Sequence, residues 1–207
     1  MIDAATLPLW LTTLRLATPL ALAAMGELVA ERAGVLNVGI EGMMLGGALA
    51  AFSVGAATGS VLAGGAAGIA AGLALAALFA YFVLRRGADP IVAGTALNVL
   101  ALGLTGVVFR SLNPAGSALA RAPQMGEIAP ALNLYLLVAI ALVAGVAFYL
   151  GRTRSGLALR AVGERAEAAH VQGVNVLRIR LGAVLFGGAC AGLAGSSLVL
   201  WISDTFV

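Results

Sequence analysis

The residues that could do chemistry here are the few polar ones that interrupt long apolar runs. One group lies in Glu31-Arg32-Ala33-Gly34-Val35-Leu36-Asn37-Val38-Gly39-Ile40-Glu41-Gly42. An ionisable group at membrane depth is costly, so it usually faces a cavity or a partner. Asn37 and Glu41 are polar at that depth. The glycines at 34, 39 and 42 allow a broken or re-entrant backbone, which is tolerated only where it lines protein or water. Together these features suit a pathway or gating element. They suit equally well a helix start capped by Glu41 near the interface, with Glu31 paired to Arg32. Asn98 is a lone amide in a separate apolar run. It could bond a polar substrate, although such a residue more often bonds a neighbouring helix. A third group is the polar stretch 152–180. Its part from Glu164 to Gln172 favours helix, with Gly173 placed as a C-terminal stop. A short helix between two spans can seat in a groove of a soluble partner or rest on lipid headgroups.

Other chemistries lack their residues. The chain has one histidine, His170, and one cysteine, Cys190. A Cys/His metal cluster and an internal disulfide are therefore excluded. Cys190 lies in an apolar run and His170 in a charged loop, which is a poor start for a nucleophilic pair. All twelve cations are arginine. A Walker A loop needs a lysine on the β- and γ-phosphates, so no P-loop ATPase is encoded here. The expectation is a chain that is not an enzyme, binds no cofactor or metal, and has no nucleic-acid partner.

These residues must be positioned by apolar elements. Of 207 residues, 61% are hydrophobic and only 10% are charged, against about a quarter charged in soluble domains. The mean hydropathy is +1.05. A span needs about 20 mainly apolar residues. Windows at 4–26, 43–84, 91–109, 128–151 and 181–203 meet or approach that length. The second is long enough for two spans with a turn at 55–60. The first is interrupted by Arg15. The expected fold is all-α: a polytopic transmembrane helical bundle of about six spans in a single domain. Alternation of the spans puts nine arginines, in the loops 27–36, 85–90 and 152–180, on one side. Only Arg110 and Arg121 fall opposite. The positive-inside rule makes the nine-arginine side cytoplasmic. Asn113, Pro114 and Pro130 then fall in an outer loop, with both termini outside. Asp3 is the only charge before Arg15, so no basic n-region of a cleavable signal is seen. The 28 glycines include four-residue stripes at Gly42 and Gly46, at Gly64, Gly68 and Gly72, and at Gly188 and Gly192. Such stripes let helix backbones approach closely in lipid.

Two stretches resemble a known family. The run Gly-Glu-Leu-Val-Ala-Glu-Arg-Ala-Gly-Val-Leu-Asn-Val-Gly-Ile-Glu-Gly-Met-Met, residues 26–44, is similar to the signature of bacterial nucleoside and simple-sugar ABC transporter permeases. That family is related to the ribose and branched-chain amino acid permeases. The run 156–164, followed by Ala168-Ala169 and Gly173-Val174-Asn175-Val176, resembles its cytoplasmic coupling segment. The run 189–195, Ala-Cys-Ala-Gly-Leu-Ala-Gly, fits the span that follows. The resemblance covers essentially the whole chain. It implies an importer subunit in the bacterial inner membrane that moves nucleosides or simple sugars. It further implies a cytoplasmic ABC ATPase, a second homologous permease subunit, an extracytoplasmic substrate-binding lipoprotein, and surrounding membrane lipid. By matching position, Gly156, Arg160, Gly163, Glu164, Ala168 and Gly173 would form the ATPase-coupling surface. Asn37, Glu41 and Asn98 would be candidates for the substrate pathway. Family members run about half as long again, so the chain reads as C-terminally truncated. The alternative class is a secondary transporter or channel for a small polar solute. It needs carboxylates within spans, and Glu41 is the one this reading offers.

Overall fold

The computed structural model describes residues 7–112, 122–126 and 133–203. Asp3, Asn113, Pro114, Arg121 and Pro130 lie outside the described residues. Helix α1 is Leu7–Arg32, α2 is Ile40–Thr58 and α3 is Val61–Ala80, which continues as a π-helical turn Tyr81–Arg85. Next come α4 (Pro90–Leu112), α5 (Leu134–Arg152), α6 (Arg154–Glu164) and α7 (Ala166–Val171). The last is α8 (Val176–Ser197), which ends in a second π turn, Leu198–Ile202. No strand occurs among the described residues. Among the described residues six helices, all but the short α6 and α7, are long and apolar enough to cross a membrane.

Local chemistry starts these helices where it should. Asp89 accepts from the backbone N–H groups of Ile91 and Val92 at 2.9 and 3.1 Å, and Pro90 takes the first helical position, which needs no donor. Ser60, Asn133, Thr153 and Asn175 each accept a backbone N–H as N-caps of α3, α5, α6 and α8. Such caps satisfy donors that a helix start would otherwise leave open. Gly59, with φ of 66°, ends α2 one residue before Ser60 starts α3. The turn therefore falls inside the expected 55–60 segment.

Helix α8 is the hub. Of its span 72% is buried, against 17% for α5. It lies against α1, α2 and α3, and glycines make the contacts. A Cβ at Gly192 would overlap the Gly68 carbonyl, and one at Gly72 would overlap the Gly188 carbonyl. Gly47 faces Gly192 so closely that a Cβ would come within 2.7 Å of its Cα. The stripes at Gly64, Gly68 and Gly72 and at Gly188 and Gly192 are thus packing faces. Lipid offers no hydrophobic drive between helices, so this close contact supplies the cohesion. Larger side chains fill both ends. Trp201, Phe52, Leu22 and Tyr135 cluster at one end. Val29, Val146 and Leu159 cluster at the other. Val99, Leu102 and Val107 on α4, and Ile140 and Phe148 on α5, point outward and are more than half exposed. An apolar exterior of this kind suits hydrocarbon, not water.

Three expectations change. The stretch 27–36 is not a loop, because α1 continues through Leu28, Val29 and Ala30 to Arg32 and only 33–39 breaks the helix. The apolar face carries the helix past Glu27, while Glu31 and Arg32 sit exposed at its end. Arg15 does not interrupt α1. Its guanidinium donates to the Trp201 carbonyl and lies 5.6 Å from the Trp201 ring, so the charge is stabilised by a π-helical end and the helix continues past it. Finally, the stretch between α5 and α8 holds two helices, not one. They divide at Arg165.

Candidate functional site

The arginine-rich end of the bundle carries a two-helix platform. Thr153 turns the chain out of α5: its hydroxyl bonds the Tyr149 carbonyl at 2.7 Å and accepts the Gly156 N–H at 2.9 Å. Only a glycine fits the corner at 156, because a Cβ there would overlap the Tyr149 carbonyl. Helix α6 then turns Leu159 and Val162 inward, with Val162 fully buried. At its far end Gly163 lies against the Arg32 carbonyl and Gly34. Arg180 closes the same corner, its Nε donating to the Ala33 carbonyl at 3.2 Å. Helix α6 is therefore clamped to α5 at one end and to the end of α1 at the other.

The opposite face is open. Leu157 is 60% exposed and Val171 83% exposed. Glu164, Arg165, Ala168 and His170 are exposed beside them. Gly173, at φ of 82°, ends α7 in a left-handed turn; its N–H bonds the His170 carbonyl at 2.9 Å. The Val174 N–H then bonds the Ala169 carbonyl at 3.0 Å. This pair of hydrogen bonds is the usual glycine stop. Of the six residues matched to a coupling surface, Glu164, Ala168 and Gly173 face outward. Gly156 and Gly163 face inward and fasten the platform. Arg160 is half-buried, with its Nε enclosed and lacking an acceptor.

Behind the platform is the joint between α1 and α2. Gly34, at φ of 79°, ends α1, and the Val35 N–H returns to the Ala30 carbonyl at 3.1 Å. The Asn37 N–H donates to Glu27 Oε1 at 2.9 Å. The Asn37 side chain is 1% exposed. Its Nδ2 approaches Met43 Sδ at 3.5 Å, and its Oδ1 is buried without a partner. Asn98 reaches over from α4. Its Oδ1 accepts the Gly42 N–H at 2.8 Å and its Nδ2 donates to the Val38 carbonyl at 3.0 Å. Asn37 and Asn98 thus meet at one joint, and both ends of the Asn98 amide are engaged by backbone. Glu41 is apart from them, exposed in the first turn of α2, where a negative charge suits the helix dipole. Sequence reasoning missed Glu27, a half-buried carboxylate within a span. It was hidden because 27–36 reads as a loop. A cavity of about 670 Å³ opens at this end between the joint, the α3–α4 turn and the α7–α8 turn, with His170 and Arg180 on its wall. Among the described residues, no group of three or more His, Cys, Asp or Glu is placed to hold a metal ion.

Residues 9–204 match the family described as branched-chain amino acid transport system / permease component. The chain belongs to this family. A putative glucose ABC transporter permease protein of Haloferax volcanii is 40% identical to it over 94% of the chain and 63% of the relative. A guanosine ABC transporter permease protein of Bacillus subtilis is 32% identical over 88% of the chain and 64% of the relative. A nucleoside ABC transporter permease protein of Lactococcus lactis is 30% identical over 91% of the chain and 66% of the relative. The chain spans less than two thirds of the length of these curated relatives. No solved structure matches it. Family membership and six spanning helices together make this a multi-pass membrane protein.

Proposed function

We propose that this chain is a transmembrane subunit of an ABC importer that carries nucleosides or simple sugars across the inner membrane. ATP is hydrolysed on a separate cytoplasmic ATPase subunit. A second homologous permease subunit completes the pathway, and an extracytoplasmic lipoprotein delivers the substrate. Guanosine, nucleoside and glucose permeases among the relatives support the substrate class. The observation that carries the reading is the clamped platform. Its exposed face presents Leu157, Glu164, Ala168 and Val171, while Gly163 ties it to the α1–α2 joint. A motor that grips the face moves α6 as a rigid body, and the joint moves with it. This is switching by rigid-body displacement.

The test is Glu164→Arg combined with Ala168→Glu, two substitutions at exposed positions. ATP-driven uptake by the assembled transporter is expected to fall at least about tenfold, since a desolvated charge mismatch at an interface costs several kcal/mol. Membrane insertion is expected to stay unchanged. Normal uptake by that variant would overturn the reading. Glu27 is the feature that would favour ion-coupled transport, because a carboxylate in a span can carry a proton. Uptake that persists without ATP and collapses with the proton gradient would establish that alternative.

A further inference from the structure

Helix α5 leans on α1 and α6, while α8 leans on α1, α2 and α3. The space left between α5 and α8 is a crevice of about 660 Å³. Val29 of α1 forms its floor, Leu159 closes its arginine-rich end, and Val138 and Phe186 form its walls. Two lining glycines, Gly145 on α5 and Gly182 on α8, have nothing within 4 Å of the place a Cβ would occupy. Arg152 lies seven residues beyond Gly145, and Arg178 lies four before Gly182. Residues at those spacings share a helix side. Each lip of the crevice therefore carries an exposed arginine at the level where α5 ends and α8 begins.

The geometry points to a binding site for an anionic phospholipid: one acyl chain in the crevice and its phosphate between Arg152 and Arg178. Charge and the apolar lining select this occupant. Arginine forks match phosphate oxygens, and basic groups beside spans draw anionic headgroups. The lining is almost wholly apolar, from Val138 and Leu142 to Phe186, as an acyl chain requires. The leaflet assigned to the lipid rests on the orientation proposed above. The lipid preference does not rest on it, so uptake and lipid binding fail separately.

The full chain, purified in mild detergent and stripped of lipid, is reconstituted into nanodiscs of equal phosphatidylglycerol and phosphatidylcholine with matched chains. After re-extraction, retained lipid is counted by native mass spectrometry. Retention of phosphatidylglycerol over phosphatidylcholine of order tenfold is expected, the scale set by two surface arginines. Arg152→Gln with Arg178→Gln is expected to bring the ratio near one. Gly145→Leu with Gly182→Leu, at two lining positions where a Cβ meets nothing within 4 Å, is expected to lower retention of both lipids at least about threefold. A ratio near one for the unmodified chain would overturn the proposal. So would a preference that survives the arginine changes, or a Gly145→Cys crosslink to a helix of a second copy.

Discussion

Asn98 shows how much one side chain holds at this joint. Its two bonds occupy the Val38 carbonyl and the Gly42 N–H, which flank the start of α2. Asn98→Leu is expected to leave both backbone groups unmet and to cost about 1–3 kcal/mol, towards the low end if lipid-phase values apply. Asn98→Asp keeps the acceptor for Gly42 but sets a carboxylate oxygen against the Val38 carbonyl within a span, so its loss should be at least as large. Thermal unfolding in detergent checks both. Unchanged stability with lost transport would instead make Asn98 a substrate contact. The sequence made Asn98 legible as a polar group needing a partner, but not that the partner is backbone sixty residues away. Glu27 was not legible at all, because three charges within 27–32 resemble a loop. Only the tertiary burial of Val29 and Ala30 shows that the helix continues.

Among elements, glycine sorts into two kinds that composition cannot tell apart. Gly72 and Gly192 lie where the backbones of α3 and α8 touch, and a Cβ on either would strike main chain, which cannot step aside. Gly72→Val is expected to destabilise the bundle by about 3 kcal/mol or more, as overpacking does at its upper end, and to cut the folded yield on size exclusion. Gly103 has open space around it in α4. Gly103→Ala should therefore be neutral or stabilise by up to about 1 kcal/mol, the helix-propensity difference. Equal loss at 72 and 103 would show that the close α3–α8 contact is not what holds the helices. The four-residue stripes made α3 and α8 readable as packing faces in advance. Gly47 and Gly195 belong to no stripe and were missed, although each meets α8 or α2 as closely. Likewise, 164–172 reads as one helix by propensity. The earlier start at Arg154 depends on the Thr153 cap and the Gly156 corner, which are matters of contact rather than composition.

For the molecule as a whole, the arginine pattern makes a claim about sidedness that helix alternation turns into geometry. The ends of α1, α3 and α5 and the starts of α2, α4 and α8 share one end, and that end holds the α6–α7 platform. Thr58 and Gly59, between α2 and α3, lie at the other end. The only native thiol, Cys190, is 4% exposed inside α8, so it contributes little background to thiol labelling. Ala168→Cys is exposed on α7 and Thr58→Cys on the opposite turn. A membrane-impermeant maleimide is expected to label the first only in inverted vesicles and the second only in right-side-out ones, because charge bias in short loops sets orientation. The reverse pattern would put the platform beyond the reach of any cytoplasmic motor. Labelling of both from one side would break the six-span alternation itself. Only the expected pattern leaves α6, clamped between α5 and the α1 joint, where ATP-driven force could enter the bundle.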